Sequence, residues 1–282
     1  VRRGAIAPRP PVRLVKRTAA VPPPLSARAS RVAALPPEWF RDYTDVPRAF
    51  RTGVPALDLF PVGIWQKVLA KAWRRSTPRS LGYGDPHGYK PLRQAIGEYL
   101  RSARGLHCHE DQILICAGSQ QAIQLCAQLL FDRGDAVWME EPGYTIARYA
   151  LEMNGARVVP VAVDEQGLDV SAGIGAAPQA RMAYVTPAKQ LPLGVTMSRS
   201  RRDELLAWAS AANAYVIEDD YDSELRYATS PPAPLATLDA HGRVIFIGTL
   251  SKILYPSLRV GYMVVPPPLV RIHTSTEPRT SQ

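Results

Sequence analysis

The sequence predicts an α/β protein whose mostly parallel sheet is flanked by helices. Short apolar runs alternate with longer segments of helical period, the signature of strand–helix–strand units. The residues best suited to holding a ligand also fall just after those apolar runs, where parallel sheets gather their ligands. An apolar stripe of Leu59, Ile64, Val68, Leu69 and Ala72 predicts an amphipathic helix over 58–75. Further helices are expected at 89–104, 118–131, 144–154 and 199–213. Strands are expected at 112–116, 136–139, 156–161, 181–185, 214–218, 244–247 and 260–264. After Pro266 the pattern stops, and 271–282 reads as polar without an apolar face.

Composition narrows the function classes. The 282 residues are 46% hydrophobic and 21% charged, which suits a globular chain with one large core or two modest ones. No run approaches the roughly 18 apolar residues of a membrane helix, and no signal-peptide core stands at the start, so the expected compartment is the cytoplasm without a membrane partner. Cys108, Cys116 and Cys126 lack the spacing of a zinc site or disulfide framework and read as free thiols.

The net charge of +9 is unevenly spread. Residues 1–51 hold eleven Lys or Arg against Glu38, Asp42 and Asp45, a balance of +8, which leaves +1 for the other 231 residues. Residues 1–37 are rich in Pro and Arg and contain no acid, so 1–51 is expected to be an extended basic linker or arm. Its charge would support salt-sensitive contact with phosphates or simply keep the arm open by self-repulsion.

The unusual residues of the chain fall just after 116, 139, 186, 218 and 247, the expected strand ends. Thr249-Leu-Ser251-Lys252 follows one apolar run, with Arg259 seven residues beyond the lysine. A lysine that must form an imine beside a phosphate that must be neutralised calls for these residue types. Glu218-Asp219-Asp220-Tyr221-Asp222 crowds carboxylates at another strand end. They could bind a metal, work as acid and base, or pair with a ligand cation; the metal reading is poor because no histidine is nearby. Gly118-Ser119-Gln120-Gln121 opens a helix whose free N–H groups could cradle an anion, though a serine there is also an ordinary cap. Glu141-Pro142-Gly143-Tyr144 sets an aromatic ring after a third strand, where it could stack on a planar ligand or fill the core. Tyr83-Gly84-Asp85-Pro86-His87-Gly88 reads as a turn led by a tyrosine.

Taken together, these motifs resemble the fold-type I pyridoxal-phosphate enzymes of the aminotransferase class I/II group. They are most similar to the aminotransferase-like domain of MocR regulators in the GntR family. Leu92-Arg93, Thr186-Pro187, Gln190, Pro192-Leu193-Gly194, Ser223-Glu224 and Val260-Gly261-Tyr262 extend the match over about residues 55–268. The resemblance implies a large domain over 52–268 and a polar tail over 269–282. It also implies that the C-terminal small domain and the N-terminal winged-helix domain of such regulators are absent.

By the same resemblance, Lys252 is the Schiff-base lysine of a pyridoxal 5'-phosphate site. Thr249, Ser251, Arg259, Ser119 and Gln120 would take the phosphate, Tyr144 the ring face, Asp219 the pyridine nitrogen and Tyr221 the ring hydroxyl. Tyr83 would reach the phosphate of a neighbouring subunit, implying a homodimer. Lys189 stands where many relatives have His, and Leu191 where aminotransferases proper often have Asn. The implied function is the effector-sensing part of a MocR-type regulator, responding to an amino acid or amine and meeting DNA only through a winged helix. The alternative is a stand-alone aminotransferase, with slow or absent turnover expected of this chain.

Overall fold

The computed structural model describes residues 53–225 and 232–274, with isolated positions between 24 and 30. Apart from those positions, the expected arm over 1–51 lies outside the described residues, as does 275–282.

Eight strands form one sheet: β1 (Ile113–Cys116), β2 (Ala136–Glu141), β3 (Arg157–Asp164), β4 (Gly167–Leu168), β5 (Met182–Val185), β6 (Tyr215–Asp220), β7 (Val244–Thr249) and β8 (Gly261–Val264). Their order is β1-β8-β7-β6-β5-β2-β3-β4. The run β7-β6-β5-β2-β3 is parallel, while β8 is antiparallel to both β7 and β1. β1 therefore runs in the sense of the parallel strands. The carboxyl ends of β1, β2, β5, β6 and β7 share one edge, and β8 begins there.

Among the described residues the helices are α1 (Val62–Arg74), α2 (Lys90–Arg104), α3 (Ser119–Leu130), α4 (Thr145–Met153), α5 (Val170–Ala176), α6 (Arg199–Ala211) and α7 (Pro267–Thr274), and those from α2 onward pack about the sheet. α3 and α4 lay Ile123, Cys126, Ala147 and Leu151 on one face, over Val137, Met139, Tyr184, Ile217 and Ile247. On the other face α5 and α6 bring Val170, Leu205 and Trp208 against Val159, Val185 and Val216, with Trp138 and Trp208 stacked 3.7 Å apart. α2 closes a third cluster, in which Ile96 and Leu100 meet Ile113, Phe246 and Val264. The central strands β2, β5, β6 and β7 are buried on both faces, whereas β3, near the sheet edge, alternates between exposed and buried residues.

Three features depart from the sequence expectation. The apolar stripe of α1 faces outward, and none of its residues is buried: Ile64, Val68 and Leu69 are all exposed. A periodic stripe requires a covering surface, but periodicity does not say that the same chain supplies it. The short α5, with two glycines in seven residues, has too little apolar period to be read from sequence; Asp169 caps it by accepting from the Ala172 N–H at 3.0 Å. Finally, α7 stands where no apolar face was expected, and Leu269 and Val270 pack on the first core face.

Candidate active site

The site is built along the shared carboxyl edge. β6 explains the carboxylate crowd, because alternate residues of a strand face opposite sides of the sheet. Glu218 accepts the backbone N–H groups of Leu235 and Ala236 at 2.7 and 2.9 Å. Asp220 pairs with Arg104 of α2 at 2.5 Å and accepts from the Ser223 hydroxyl. Asp222 is engaged by Lys189 at 2.6 Å. Asp219 is buried on the other face, where the Tyr184 hydroxyl donates to its Oδ2 at 2.5 Å. Its Oδ1 is buried and has no hydrogen-bond partner.

A buried acceptor without a donor is costly, and the cost is lifted when a ligand supplies the missing proton. Burial pushes the Asp219 carboxyl up to about 6, the Tyr184 hydrogen bond opposing and the Asp220 charge adding to the shift. Tyr184 is itself held well above the ordinary phenol range by burial and by Asp219, so it remains a donor. Tyr221 stands half-buried just past β6, its phenol likewise raised by burial and then by Asp222 and Asp219. Tyr144 precedes α4 and is half-buried on the same core face as Tyr184.

The anion cradle lies where β1, β7 and β8 meet. α3 starts at Ser119 after Gly118, whose φ of 86° favours glycine. The Arg259 guanidinium packs on Gly118 and donates to the Ala117 carbonyl at 3.1 Å. A Cβ on Gly118 would lie 3.0 Å from Arg259 Nη2, and one on Gly261 would lie 2.9 Å from the Gly118 carbonyl carbon. Both glycines therefore let three backbone segments close around the start of α3, with its unpaired N–H groups and positive dipole end. Gln120 Nε2 is buried there without a hydrogen-bond partner. The Thr249 hydroxyl donates to Ser251 Oγ at 3.0 Å and accepts from the Ser251 N–H at 3.2 Å.

Lys252 follows in a turn, half-buried, and its Nζ donates to the Gly53 carbonyl. Burial lowers the pKa of this amine, while the charges of Asp222 and then Asp219 act in the opposite direction. The stretch leading into α1 is held over this loop by edge-on contacts of Phe60 and Trp65 with Tyr255, at 4.9 and 5.8 Å between ring centroids.

Lys252, Thr249, Ser251, Arg259, Ser119, Gln120, Tyr144, Asp219 and Tyr221 thus line one sheet edge. Tyr83 does not join them within one chain: it is fully exposed, on a loop whose Asp85 is gripped by the buried Arg93. Sequence reasoning passed over Tyr184, the one polar-tipped residue of β5. It also passed over Glu140, a buried acid that accepts from the Thr186 hydroxyl at 2.7 Å and from Gln190 at 3.2 Å. These bonds anchor the 186–194 loop to β2. Burial pushes Glu140 up to about 7.

The unpartnered Asp219 oxygen, the unpartnered Gln120 amide and the glycine-lined cradle fit a ligand with a protonated ring nitrogen at one end and a phosphate at the other. This sheet order, with an acid, an anion cradle and a lysine along one edge, defines a fold-type I transferase. Residues 57–279 match the family described as aminotransferase class I and II, and the chain belongs to that family.

The chain is 41% identical over 230 residues to the probable rhizopine catabolism regulatory protein MocR of Rhizobium meliloti, covering 81% of this chain and 46% of that protein. Among solved structures it resembles Pyrococcus horikoshii kynurenine aminotransferase in complex with PMP, with a TM-score of 0.72 and 34% identity over 78% of this chain and 56% of that one. It also resembles LysN, an α-aminoadipate aminotransferase of Thermus thermophilus complexed with N-(5'-phosphopyridoxyl)-L-leucine, at a TM-score of 0.69 and 30% identity, covering 80% and 59%. The chain spans about half the length of the curated relatives it matches. Among the described residues, no helix is long and apolar enough to cross a membrane.

Proposed function

We propose that the chain is the pyridoxal-phosphate-binding part of a MocR-type regulator, with Lys252 as the point of covalent attachment. The observation that carries this reading is the buried Asp219 Oδ1 without a donor, on the same edge as a lysine whose pKa burial lowers. When bound, pyridoxal phosphate supplies an aldehyde for reversible linkage to amines and a ring that accepts the electrons a departing α-proton leaves behind.

The chain's own groups divide the remaining work. Arg259, Thr249, Ser251, Ser119 and Gln120 neutralise and orient the phosphate, the guanidinium through charge-assisted bonds. Asp219 holds a proton at the ring nitrogen, and Tyr184 fixes the carboxylate that does so. Tyr221 would take the ring hydroxyl and Tyr144 the ring face. Lys252 offers its amine in the neutral form that burial favours.

The outward apolar face of α1 and the exposed Tyr83 support a homodimer in which Tyr83 serves the neighbouring site. Amino acids or other amines are the proposed effectors, and DNA would be met through a helix-turn-helix part of the regulator beyond the matched half. Mixing the purified protein with pyridoxal phosphate should give a visible absorbance band that Lys252→Ala lacks; no band in the parent protein would refute the cofactor reading.

A second reading, an aminotransferase in its own right, is favoured by the 34% identity to an aminotransferase of known structure. It requires that an amino acid convert the bound cofactor to its amine form and that a 2-oxo acid reverse the change.

A further inference from the structure

Two lysines approach one carboxylate behind the site. Lys189, in the 186–194 loop after β5, sets its Nζ 2.6 Å from Asp222 Oδ2. The Asp222 side chain is 11% exposed and its Oδ1 is buried without a hydrogen-bond partner, so the carboxylate has unused capacity on its inner side. Lys252 is close enough that Asp222 is the foremost acid drawing its amine toward the charged form, ahead of Asp219. Nevertheless, among the described residues Lys252 has no ion-pair partner, and its hydrogen bond goes to the neutral Gly53 carbonyl. An ammonium on Asp222 cancels much of that acid's field as felt by a second amine nearby.

We propose that Lys189 is a positioning residue for the attachment amine: it claims the Asp222 carboxylate and so leaves Lys252 without an ion-pair partner, free to lose its proton. The inference rests on the reading of Lys252 as the attachment point, but it concerns an interaction the chain makes before any ligand arrives.

The other groups facing Lys252 and Asp222 leave that function to Lys189. From β6 comes Asp219, whose charge is engaged by the Tyr184 hydroxyl. Tyr221 lies between the two acids, and burial keeps its phenol protonated. Glu140 of β2 lies within electrostatic reach of Tyr221 and Asp219, but Thr186 and Gln190 satisfy it. Among the described residues of the segment before α1, the Gly53 carbonyl is the group that meets Lys252. Arg259, on the Lys252 loop, turns to the Ala117 carbonyl. Lys189 is thus the cation bound to the acid that most affects Lys252, and its own side chain is 45% exposed, so replacing it opens no cavity.

The test is the reactivity of Lys252 toward acetic anhydride in the cofactor-free full chain, followed against pH by mass spectrometry of the Lys252 peptide. Lys189→Met should move the half-point upward by about one pH unit, which is about tenfold slower acetylation at a fixed pH below it. Lys189→Arg should stay close to the parent, because a guanidinium also satisfies Asp222. Adding Asp222→Asn to Lys189→Met should abolish the upward shift.

An unmoved half-point in Lys189→Met overturns the proposal, as does a shift that survives Asp222→Asn or appears equally in Lys189→Arg. Lys189→Gln repeats the measurement should the methionine disturb the loop. The attachment reading is judged separately, by adding pyridoxal phosphate to the parent protein: failure to bind refutes that reading, while the acetylation profile still decides the role of Lys189.

Discussion

On the proposed reading, Asp219 shows how a single residue can be left open to a ligand. Glu218, Asp220 and Asp222 meet backbone N–H groups or cations, whereas Asp219 meets only the Tyr184 hydroxyl and keeps its other oxygen unpartnered, and burial lifts its carboxyl to about 6. The ionised form is the one that can hold a proton on a ring nitrogen. It is populated above about 6 and lost as pH falls through that value. Cofactor affinity, followed by titrating the visible band, should therefore weaken progressively below that pH. Asp219→Asn should lower affinity by about tenfold or more at neutral pH and flatten this acid limb, since a charge-assisted contact is worth roughly 1.5–3 kcal/mol. An unchanged acid limb in Asp219→Asn would assign the titration to another group. Residue pattern alone could place an acid after a strand; choosing Asp219 over Glu218, Asp220 and Asp222 took the family resemblance. The choice depends on which face each side chain meets, and so on partners far away in sequence: Leu235, Tyr184, Arg104 and Lys189.

At the scale of the element, β6 sets the proposed ligand acid, Asp219, on one face and the protein-bound acids Glu218 and Asp220 on the other. Glu218 is pushed up to about 7 by burial, although two backbone N–H groups and Arg202 pull the other way. A carboxyl raised in the folded state favours folding most fully at pH below its unfolded value, and that contribution is lost as pH rises through the folded one. The folded chain therefore binds more protons here than the unfolded chain between about 4.5 and about 7. Glu218→Gln removes this titration and sets an amide against backbone donors. The stability advantage of the parent over Glu218→Gln should thus be larger at about pH 5 than at about pH 8, by roughly 1–3 kcal/mol. Urea unfolding at the two pH values measures the difference, and an equal gap at both would contradict the assignment. The helices and strands with strong apolar period were legible in the sequence to within a few residues. α5 and α7 were not, because one is short and glycine-containing and the other packs Leu269 and Val270 on the core from a stretch that reads as a polar tail.

At the scale of the whole molecule, the five strand ends that carried chemistry in the sequence converge because β1, β2, β5, β6 and β7 run in one sense. That convergence was legible in the sequence. The fate of α1 was not, since its stripe faces away from its own chain and leaves Ile64 and Trp73 about two-thirds exposed. A second copy covering this face would bury it and bring Tyr83 into use. Sedimentation should accordingly find a dimer, and Ile64→Glu should weaken association by roughly a hundredfold, the cost of burying an unpaired charge. A parent protein that sediments as a monomer would contradict that arrangement.

The proposed attachment of pyridoxal phosphate to Lys252 is the central point, and chemical trapping tests it most directly. The protein is mixed with pyridoxal phosphate, reduced with borohydride, digested and mapped by mass spectrometry. The expected result is a pyridoxyl group on Lys252 and on none of the other five lysines of the chain. A label on Lys189 or another lysine instead, or no label at all, would contradict it.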